Sequence, residues 1–271
     1  MLPSEMLTAL RQNIGESVEG NWLDTELQGH LNRAQDWLAR LIMTIDNQMF
    51  RATHTFSLVA GQELYKLPPR CGSVAFVEYT NGGVTEKMQK AVEMHRSTYD
   101  DFGVLSYYLR GRYIGILPVA DSSLANAVTV HYQERLPVMH SGEMQSATTL
   151  DTTASQENDY YNGSEIVLTG GAGVDGDRAM ISDYVGSTRT ITLDSSGWAQ
   201  GSTPDTTSDY EIVCKIPEEY HELIILRATV NALAKDEDQA VRFRTLYKDS
   251  VEGLLATYGQ DSEPEFVKDY M

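Results

Sequence analysis

Cysteine is nearly absent from this sequence, with Cys71 and Cys214 the only two among 271 residues. Two cysteines are too few for the disulfide framework of a small secreted protein. A reduced pair in a cytosolic setting is expected, although a disulfide would form if the fold brought the two together. No apolar run reaches about eighteen residues, so no transmembrane helix is predicted. From Met1 to Leu10, the sequence also lacks the basic and then apolar segments of a secretory signal peptide.

Positive charge is scarce as well. The 21 lysines and arginines face 39 aspartates and glutamates, which gives a formal net charge of −18. Such a surface repels phosphate backbones, and no basic cluster reverses the sign locally, so tight nucleic-acid wrapping is not expected. The acidity is typical of a protein that is soluble at high concentration, or of a surface over which DNA slides without sticking.

The sequence has no recognisable catalytic or metal-binding arrangement. Its six histidines show neither HxxxH nor HExxH spacing, and no CxxC pair or GxSxG elbow occurs. Gly171 to Gly176 matches the GxGxxG dinucleotide fingerprint, which works only if a helix follows. Gly170 to Asp175 resembles one calcium-binding β-roll repeat, which needs tandem copies. We therefore predict an acidic turn, with a single cation at Asp175, Asp177 and Asp183 as the less favoured alternative. No cofactor, metal site or enzymatic activity is expected.

The strongest positive signal is a helical pattern from Asp24 to Asn47. Its large apolar residues alternate steps of four and three, which places them on one face of a helix with about 3.6 residues per turn. A shorter helix is predicted from Pro3 to Ile14. Near the other end, one apolar stripe starts at Pro217 and a second one, after a short polar turn, runs to Tyr258. Two striped helices joined so closely must pack antiparallel.

These four helices imply that the two ends of the chain meet in one bundle. An amphipathic helix is only marginally stable alone, so each apolar stripe must be covered by the others. The predicted bundle core consists of Leu27, Leu31, Leu38, Leu41, Ile45, Leu223, Ile224, Val230, Phe243 and Leu254.

The middle of the chain has the composition of β-sheet, with short stretches rich in β-branched and aromatic residues. The predicted strands are Thr53 to Leu58, Ser73 to Tyr79, Tyr107 to Arg110, Tyr113 to Leu117, Ala127 to Gln133, Ile166 to Leu168, Arg178 to Ile181, Thr188 to Leu193 and Tyr210 to Lys215. A short helix is predicted from Ala91 to Asp101, and an exposed polar loop from Ser141 to Asn158.

The expected fold class is therefore α+β: an antiparallel helical bundle built from both ends of the chain, with an inserted antiparallel β domain. The predicted domains are residues 1–50 plus 216–258 for the bundle, 51–215 for the β domain with a nested β insertion at about 160–214, and 259–271 for a C-terminal tail.

Tyrosines concentrate in the β segments, and they bury a large area while keeping a polar tip. They fit a protein–protein interface and ordinary sheet packing equally well. The tyrosines considered for an interface are Tyr107, Tyr108, Tyr113 and Tyr184.

Several motifs in order along the chain match those of a known group of proteins. Trp22 to Leu27 followed by Leu31 to Ala39 resembles the opening helices of the tailed-phage head-to-tail adaptor, or connector, family. Phe56 to Gly61 with Tyr65 to Pro68 resembles its first β-hairpin. The likeness continues through Ile114 to Pro118, His131 to Pro137 and the closing helical hairpin that begins at Pro217. One departure is Leu23, since many relatives have Ser or Thr there as half of a capping box.

The resemblance implies a non-enzymatic subunit of a ring, commonly twelve per virion, in the neck between capsid and tail. Such a ring docks beneath the portal protein, binds tail or nozzle proteins, and lets DNA pass without sequence-specific binding. No membrane association is expected, and assembly would take place in the host cytoplasm. The family also implies that the C-terminal tail docks on the portal. In this chain the portal-binding residues would be Glu263, Phe266, Val267, Tyr270 and Met271.

Two other functions remain open at this stage. The tyrosine- and glycine-rich strands from Tyr160 to Tyr210 are compatible with a tail-associated module that binds a receptor or a glycan. A hydrolase with a dispersed active site is the weaker alternative, because no catalytic motif supports it.

Overall fold

The structure is a computed structural model, and it describes residues 1–16, 20–46, 48–95, 97–98, 104–235 and 237–259, without the side chains of residues 235, 237–239 and 257–259. The chain divides into two compact units. The first holds residues 1–47 and 136–271, and the second holds residues 48–135. Each unit has its own sheets and its own hydrophobic core.

Four helices in the first unit come from the two ends of the chain. They are α1 (Pro3–Ile14), α2 (Asp24–Ile45), α3 (His221–Ala232) and α4 (Glu237–Gly259). Helix α3 packs against the other three helices. The prediction that the two ends of the chain fold together as a helical scaffold is therefore confirmed. Among the helices that the structure describes, none combines the length and the apolar character needed to cross a lipid bilayer.

Helix α3 is buried on nearly every side, as expected of a helix that is apolar all round. Nine of its twelve residues are buried, including Ile224, Ala228 and Thr229 with no exposed surface. Its start differs from the sequence pattern, because Pro217 precedes a 3₁₀ turn over Glu218–Tyr220 and the α-helix begins only at His221. A second 3₁₀ turn, Leu233–Lys235, leads toward α4.

The buried face of α2 is shifted by one residue near its C-terminal end. Leu27, Leu31 and Leu38 are buried as expected, but one turn after Leu38 the buried residue is Ile42, at 5% exposure. Leu41 and Ile45 are only half-buried. Because a helix turn has about 3.6 residues, the position four residues after Leu38 lies closer to its face than the position three residues after it. Ile45 is the last residue of the helix.

Helix α4 is the most exposed helix of the bundle. Ala240 and Leu254 are buried against its neighbours, whereas Phe243, predicted as a core residue, is only half-buried. The reason is position, since α4 packs mainly on α3 and much of its circumference faces solvent.

The second unit contains two four-stranded sheets. The first has the order β1-β8-β3-β4 and is antiparallel throughout, and the second has the order β2-β7-β6-β5, in which only β5 and β6 run parallel. One core joins residues of both sheets, among them Val77, Ile114 and Val130. The strands are β1 (Arg51–Leu58), β2 (Leu64–Lys66), β3 (Cys71–Asn81), β4 (Val84–Lys87), β5 (Gln89–Lys90), β6 (Ser106–Arg110), β7 (Tyr113–Leu117) and β8 (Leu124–Glu134).

The first unit also carries a five-stranded antiparallel sheet of order β12-β11-β10-β13-β9. Its core is rich in tyrosine, with Tyr161, Tyr184 and Tyr210 almost fully buried. The strands are β9 (His140–Glu143), β10 (Glu165–Gly170), β11 (Arg178–Val185), β12 (Thr190–Leu193) and β13 (Asp209–Ile212).

The sequence pattern located the longer strands but missed the short strands β2, β4 and β5. It also missed β9, which overlaps the start of the segment expected to be an exposed polar loop. Of the helix predicted from Ala91 to Asp101, the structure describes a 3₁₀ turn at Glu93–His95, and part of the segment lies outside the described residues. The domain boundaries stay a prediction. The structure adds that residues 136–215 group with the helices.

The burial of α2 predicts that a cavity at Leu31 is costly. Leu31 has no exposed surface, so we expect Leu31→Ala to lower the free energy of unfolding by about 2–5 kcal/mol. Leu246→Ala is the matched control, because Leu246 is 44% exposed on α4 and should change stability by less than about 0.5 kcal/mol. Urea unfolding of both variants measures the difference, and equal effects would contradict the assigned core.

Candidate interaction surfaces

A cleft of about 330 Å³ lies between the start of α3 and the second half of α4. Its floor includes Leu223 and Leu254, each 6% exposed, and its rim carries the carboxylates of Glu219 and Glu222. An apolar floor with an acidic rim is suited to a side chain that is basic or aromatic with a polar tip. Tyr220, Ser250 and Gly253 complete the lining.

Helix α4 is attached to the bundle by a cation between two aromatic rings. The Arg227 guanidinium carbon of α3 lies 5.1 Å from the centre of the Trp37 ring and 5.4 Å from that of Tyr247. The two rings are themselves 5.5 Å apart at 60°. Burial raises the pKa of Tyr247 to about 12, even with the nearby Arg227 charge acting to lower it. Three helices therefore meet at one cation–π contact.

The N-terminal segment is held by ion pairs to the rest of the unit. The buried Arg11 guanidinium donates to the Asp24 carboxylate, at 2.9 Å from Nε, and to the Trp22 carbonyl at 3.0 Å. The Leu23 N–H donates to the Glu26 carboxylate at 3.3 Å. The Glu half of the capping box is therefore present, although residue 23 has no hydroxyl.

A cluster of polar residues is centred on Asp151 inside the five-stranded sheet. Its Oδ1 accepts hydrogen bonds from His140 Nε2 at 2.7 Å and from the Tyr210 hydroxyl at 2.8 Å, while its Oδ2 accepts one from the Thr153 N–H at 3.1 Å. Burial alone would raise the pKa of Asp151, but hydrogen bonds from Thr153, His140 and Tyr210 outweigh it and lower the pKa to about 2.

The His140–Asp151 pair does not form an activated catalytic group. Two hydroxyls donate to the Asp151 carboxylate, those of Thr153 and Tyr210. Burial together with the adjacent Asp151 raises the pKa of the Tyr210 phenol well above its usual value. An activated nucleophile needs the opposite shift. The cluster is better explained as a hydrogen-bond centre that holds the loop around Asp151 onto β9 and β13.

The glycine-rich segment after β10 is a turn, as the sequence analysis predicted. It is followed by β11 and not by a helix, so the GxGxxG match lacks the helix N-terminus that would bind a pyrophosphate. Gly171 has a positive φ of 76°, and a Cβ there would lie 1.6 Å from the carbonyl oxygen of Thr207. Only glycine fits this close approach.

Asp177, considered as a cation ligand, instead binds the backbone of its own unit. Its carboxylate accepts N–H groups of Arg178 and Gln200, each at 2.8 Å, and of Ser202 at 3.2 Å. Burial would raise the pKa of Asp177, but these bonds and the Ser202 hydroxyl lower it. Within the described residues, no group of three or more His, Cys, Asp or Glu side chains is placed to hold a metal ion.

The structure separates the four tyrosines that were considered for an interface. Tyr107, Tyr108 and Tyr184 are at most 3% exposed in the single chain, so they are core residues and cannot contact a partner without unfolding. The Tyr108 ring leaves no room for a Cβ at position 115, where the chain has glycine. Tyr113 is 46% exposed and stays a prediction as an interface residue.

The predicted portal-binding residues, Glu263, Phe266, Val267, Tyr270 and Met271, lie outside the described residues. The two cysteines are free thiols, so the reduced state is what the structure contains. Burial raises the pKa of Cys71 to about 11 and that of Cys214 to about 12.

The Asp151 cluster predicts a pH-dependent contribution to stability. Because its pKa is about 2 in the folded chain against an ordinary 3.8, its contribution is complete above about pH 4 and is lost as the pH falls toward 2. We expect Asp151→Asn to cost about 2 kcal/mol at neutral pH and to flatten the loss of stability between pH 4 and 2. The control is the exposed Asp121→Asn. Unfolding curves at several pH values check this, and an unchanged pH profile would contradict it.

Comparison with known proteins adds one result to this geometry. A family model described as SU10 adaptor protein matches residues 1–169, which include α1, α2 and all of the second unit. A comparison with curated proteins finds no match.

Proposed function

The chain belongs to the SU10 adaptor protein family of phage head-tail adaptors, and on that premise we propose that it is one subunit of a ring that docks beneath the portal. The ring would extend the DNA channel and join the capsid to the tail. The family membership itself implies a structural protein of the virion. The match over residues 1–169 is the observation that carries the proposal.

The composition of the C-terminal segment supports a docking role for it. Helix α4 of the bundle ends at Gly259, and residues 260–271 follow it in the sequence. A short segment with three large apolar side chains, Phe266, Tyr270 and Met271, is suited to ordering on a partner surface. A rigid bundle that carries such a segment is a suitable base for attachment to a portal.

The charge of the chain supports a channel that does not bind the DNA passing through it. A formal charge of −18 per subunit is multiplied by the number of copies in a ring, and this field repels the phosphate backbone. Genome passage requires that DNA slides past the wall, so the acidity suits the proposed position in the virion.

The alternative as a receptor- or glycan-binding module is less well supported. It was suggested by tyrosines in the strands after Tyr160, but Tyr161, Tyr184 and Tyr210 are at most 1% exposed. A glycan stacks on exposed aromatic faces, and these three rings are used in the core of the five-stranded sheet. The ring subunit therefore remains the better proposal.

The proposed ring can be tested with the full-length chain and the portal ring of the same virus. Mass photometry of the mixture should show one added mass of many subunits, a dodecamer being the expected size, because adaptor rings dock as closed assemblies. Portal alone and adaptor alone are the controls. A strictly monomeric chain that leaves the portal mass unchanged would contradict the proposal.

The role of the tail has its own test. We expect deletion of residues 260–271 to abolish portal association while the far-ultraviolet circular dichroism and the melting temperature stay unchanged, since the bundle core lies elsewhere. Phe266→Ala/Tyr270→Ala should act like the deletion, and Ser262→Ala/Asp269→Ala is the matched control. Undiminished portal binding by the deleted chain would exclude the tail as the docking element.

A further inference from the structure

The edge strand β1 in the second unit is unusually long. It has eight residues, whereas the other edge strands, β2, β4, β5, β9 and β12, have two to four. Natural sheets protect their edges with short strands, proline, charge or β-bulges. Strand β1 has no proline, Arg51 is its only lysine, arginine or acidic residue, and its register with β8 shifts only near its end, between Phe56 and Leu58. A long edge of this kind is a template for pairing with another strand.

The core side of β1 is also incompletely covered. His54 and Phe56 point to the same side as Val130 and Val128, their partners on β8. Both valines have no exposed surface, but His54 and Phe56 are only half-buried. The apolar layer of the sheet therefore continues to the edge and ends there without full cover.

The opposite edge of the same sheet, β4, has complementary features. Val84 is 62% exposed. Glu86 pairs with Tyr79, whose partner on β8 is Val128, so Val84 and Glu86 also point to the core side. Because all four strands alternate in direction, β1 and β4 run in opposite directions. In a neighbouring copy of the same orientation, β4 would lie antiparallel to β1.

We propose that β4 of one copy adds to β1 of the next, so that this sheet continues from subunit to subunit around the ring. The inference rests on the proposed ring and names the strands that would join its subunits. The contact uses two different surfaces of one chain, and such heterologous contacts generate closed rings when the rotation closes. Addition of a strand to a sheet edge is an established mode of recognition.

Side-chain complementarity selects one register. With Thr85 opposite Thr55, the core side brings Val84 opposite Phe56 and Glu86 opposite His54. The first pair is apolar, and the second places a histidine opposite a carboxylate.

The solvent side fits this register as well. There the two threonines extend hydroxyl pairs that the chain already makes, Thr55 with Thr129 at 3.0 Å and Thr80 with Thr85 at 2.9 Å. A slip of two residues in one direction would bring Lys87 opposite Arg51, and like charges directly opposite are unfavourable. A slip of one residue would move the apolar side chains to solvent.

A disulfide across the junction tests both the pairing and the register. Residues directly opposite in an antiparallel pair have Cα atoms about 4.5–5.5 Å apart, which a disulfide can bridge. Full-length Thr55→Cys/Thr85→Cys, oxidised after assembly with and without the portal, should give a ladder of covalent multimers on a non-reducing gel. Arg51→Cys/Thr85→Cys is the matched control, in which the two cysteines are offset by four residues. It should form no covalent multimers on the same gel. The wild-type chain controls for Cys71 and Cys214.

Each outcome of this experiment decides between distinct conclusions. A ladder for the 55/85 variant alone supports the junction. Covalent dimers without higher species would indicate a two-fold pairing of copies and overturn it. No cross-link while the wild-type chain still forms a ring overturns the junction and leaves the proposed function standing. A wild-type chain that never assembles removes the ring, and the junction with it.

Charge exchange gives a second measurement that does not depend on cysteine. His54→Glu places two carboxylates opposite each other and should raise the protein concentration for half-assembly by about fivefold, since one unfavourable cross-strand pair costs about 1 kcal/mol. Glu86→Lys removes the histidine–carboxylate pair and should raise this concentration by a smaller factor. The combined His54→Glu/Glu86→Lys chain should assemble as the wild type does. Glu86 is exposed on an edge strand, so the variants should keep the wild-type circular dichroism. Equal assembly by all four chains would overturn the proposed pairing.

Discussion

The helical scaffold depends on the burial of α3. This helix is apolar on nearly every side, so it is stable only when α1, α2 and α4 cover it. Two of the covering helices come from the N-terminal end and one from the C-terminal end. The same burial therefore brings the two ends of the chain together and makes everything between α2 and α3 an excursion that must return. Asn13 of α1 donates to the Thr229 hydroxyl of α3 at 3.2 Å, which fixes this packing by a polar contact.

The five-stranded sheet and the sheet that contains β1, both formed by residues between α2 and α3, differ in how they are stabilised. The five-stranded sheet uses buried tyrosines and hydrogen-bonded carboxylates, and Asp151 and Asp177 each accept several hydrogen bonds that hold its long loops. In the second unit, the sheet of order β1-β8-β3-β4 leaves a long edge at β1. The Asp151 and Asp177 clusters, which resemble catalytic or metal-binding groups, are hydrogen-bond centres. The exposed edge at β1 carries the stronger implication for assembly.

Sequence reasoning succeeded where a periodic pattern was long. The helices over Pro3–Ile14 and Asp24–Ile45 follow from the spacing of apolar residues alone. It failed where burial depends on which distant segments pack against a residue. Tyr108 and Tyr113 both lie in predicted β segments that are rich in tyrosine, yet the first is fully buried and the second is 46% exposed. Strands β2, β4 and β5 are too short for periodicity to reveal, and Phe243 is half-exposed because α4 has neighbours mainly on one side.

By itself, the sequence determined that the two ends of the chain are helical and the middle is β, that no catalytic motif is present, and that the surface is strongly acidic. These properties are local or additive, so they can be read from residue types and their spacing. Only the tertiary structure decided which tyrosines are buried, that Asp177 binds backbone N–H groups, and which strands form the sheet edges. Those properties depend on which distant segments lie side by side, and no local pattern encodes that pairing.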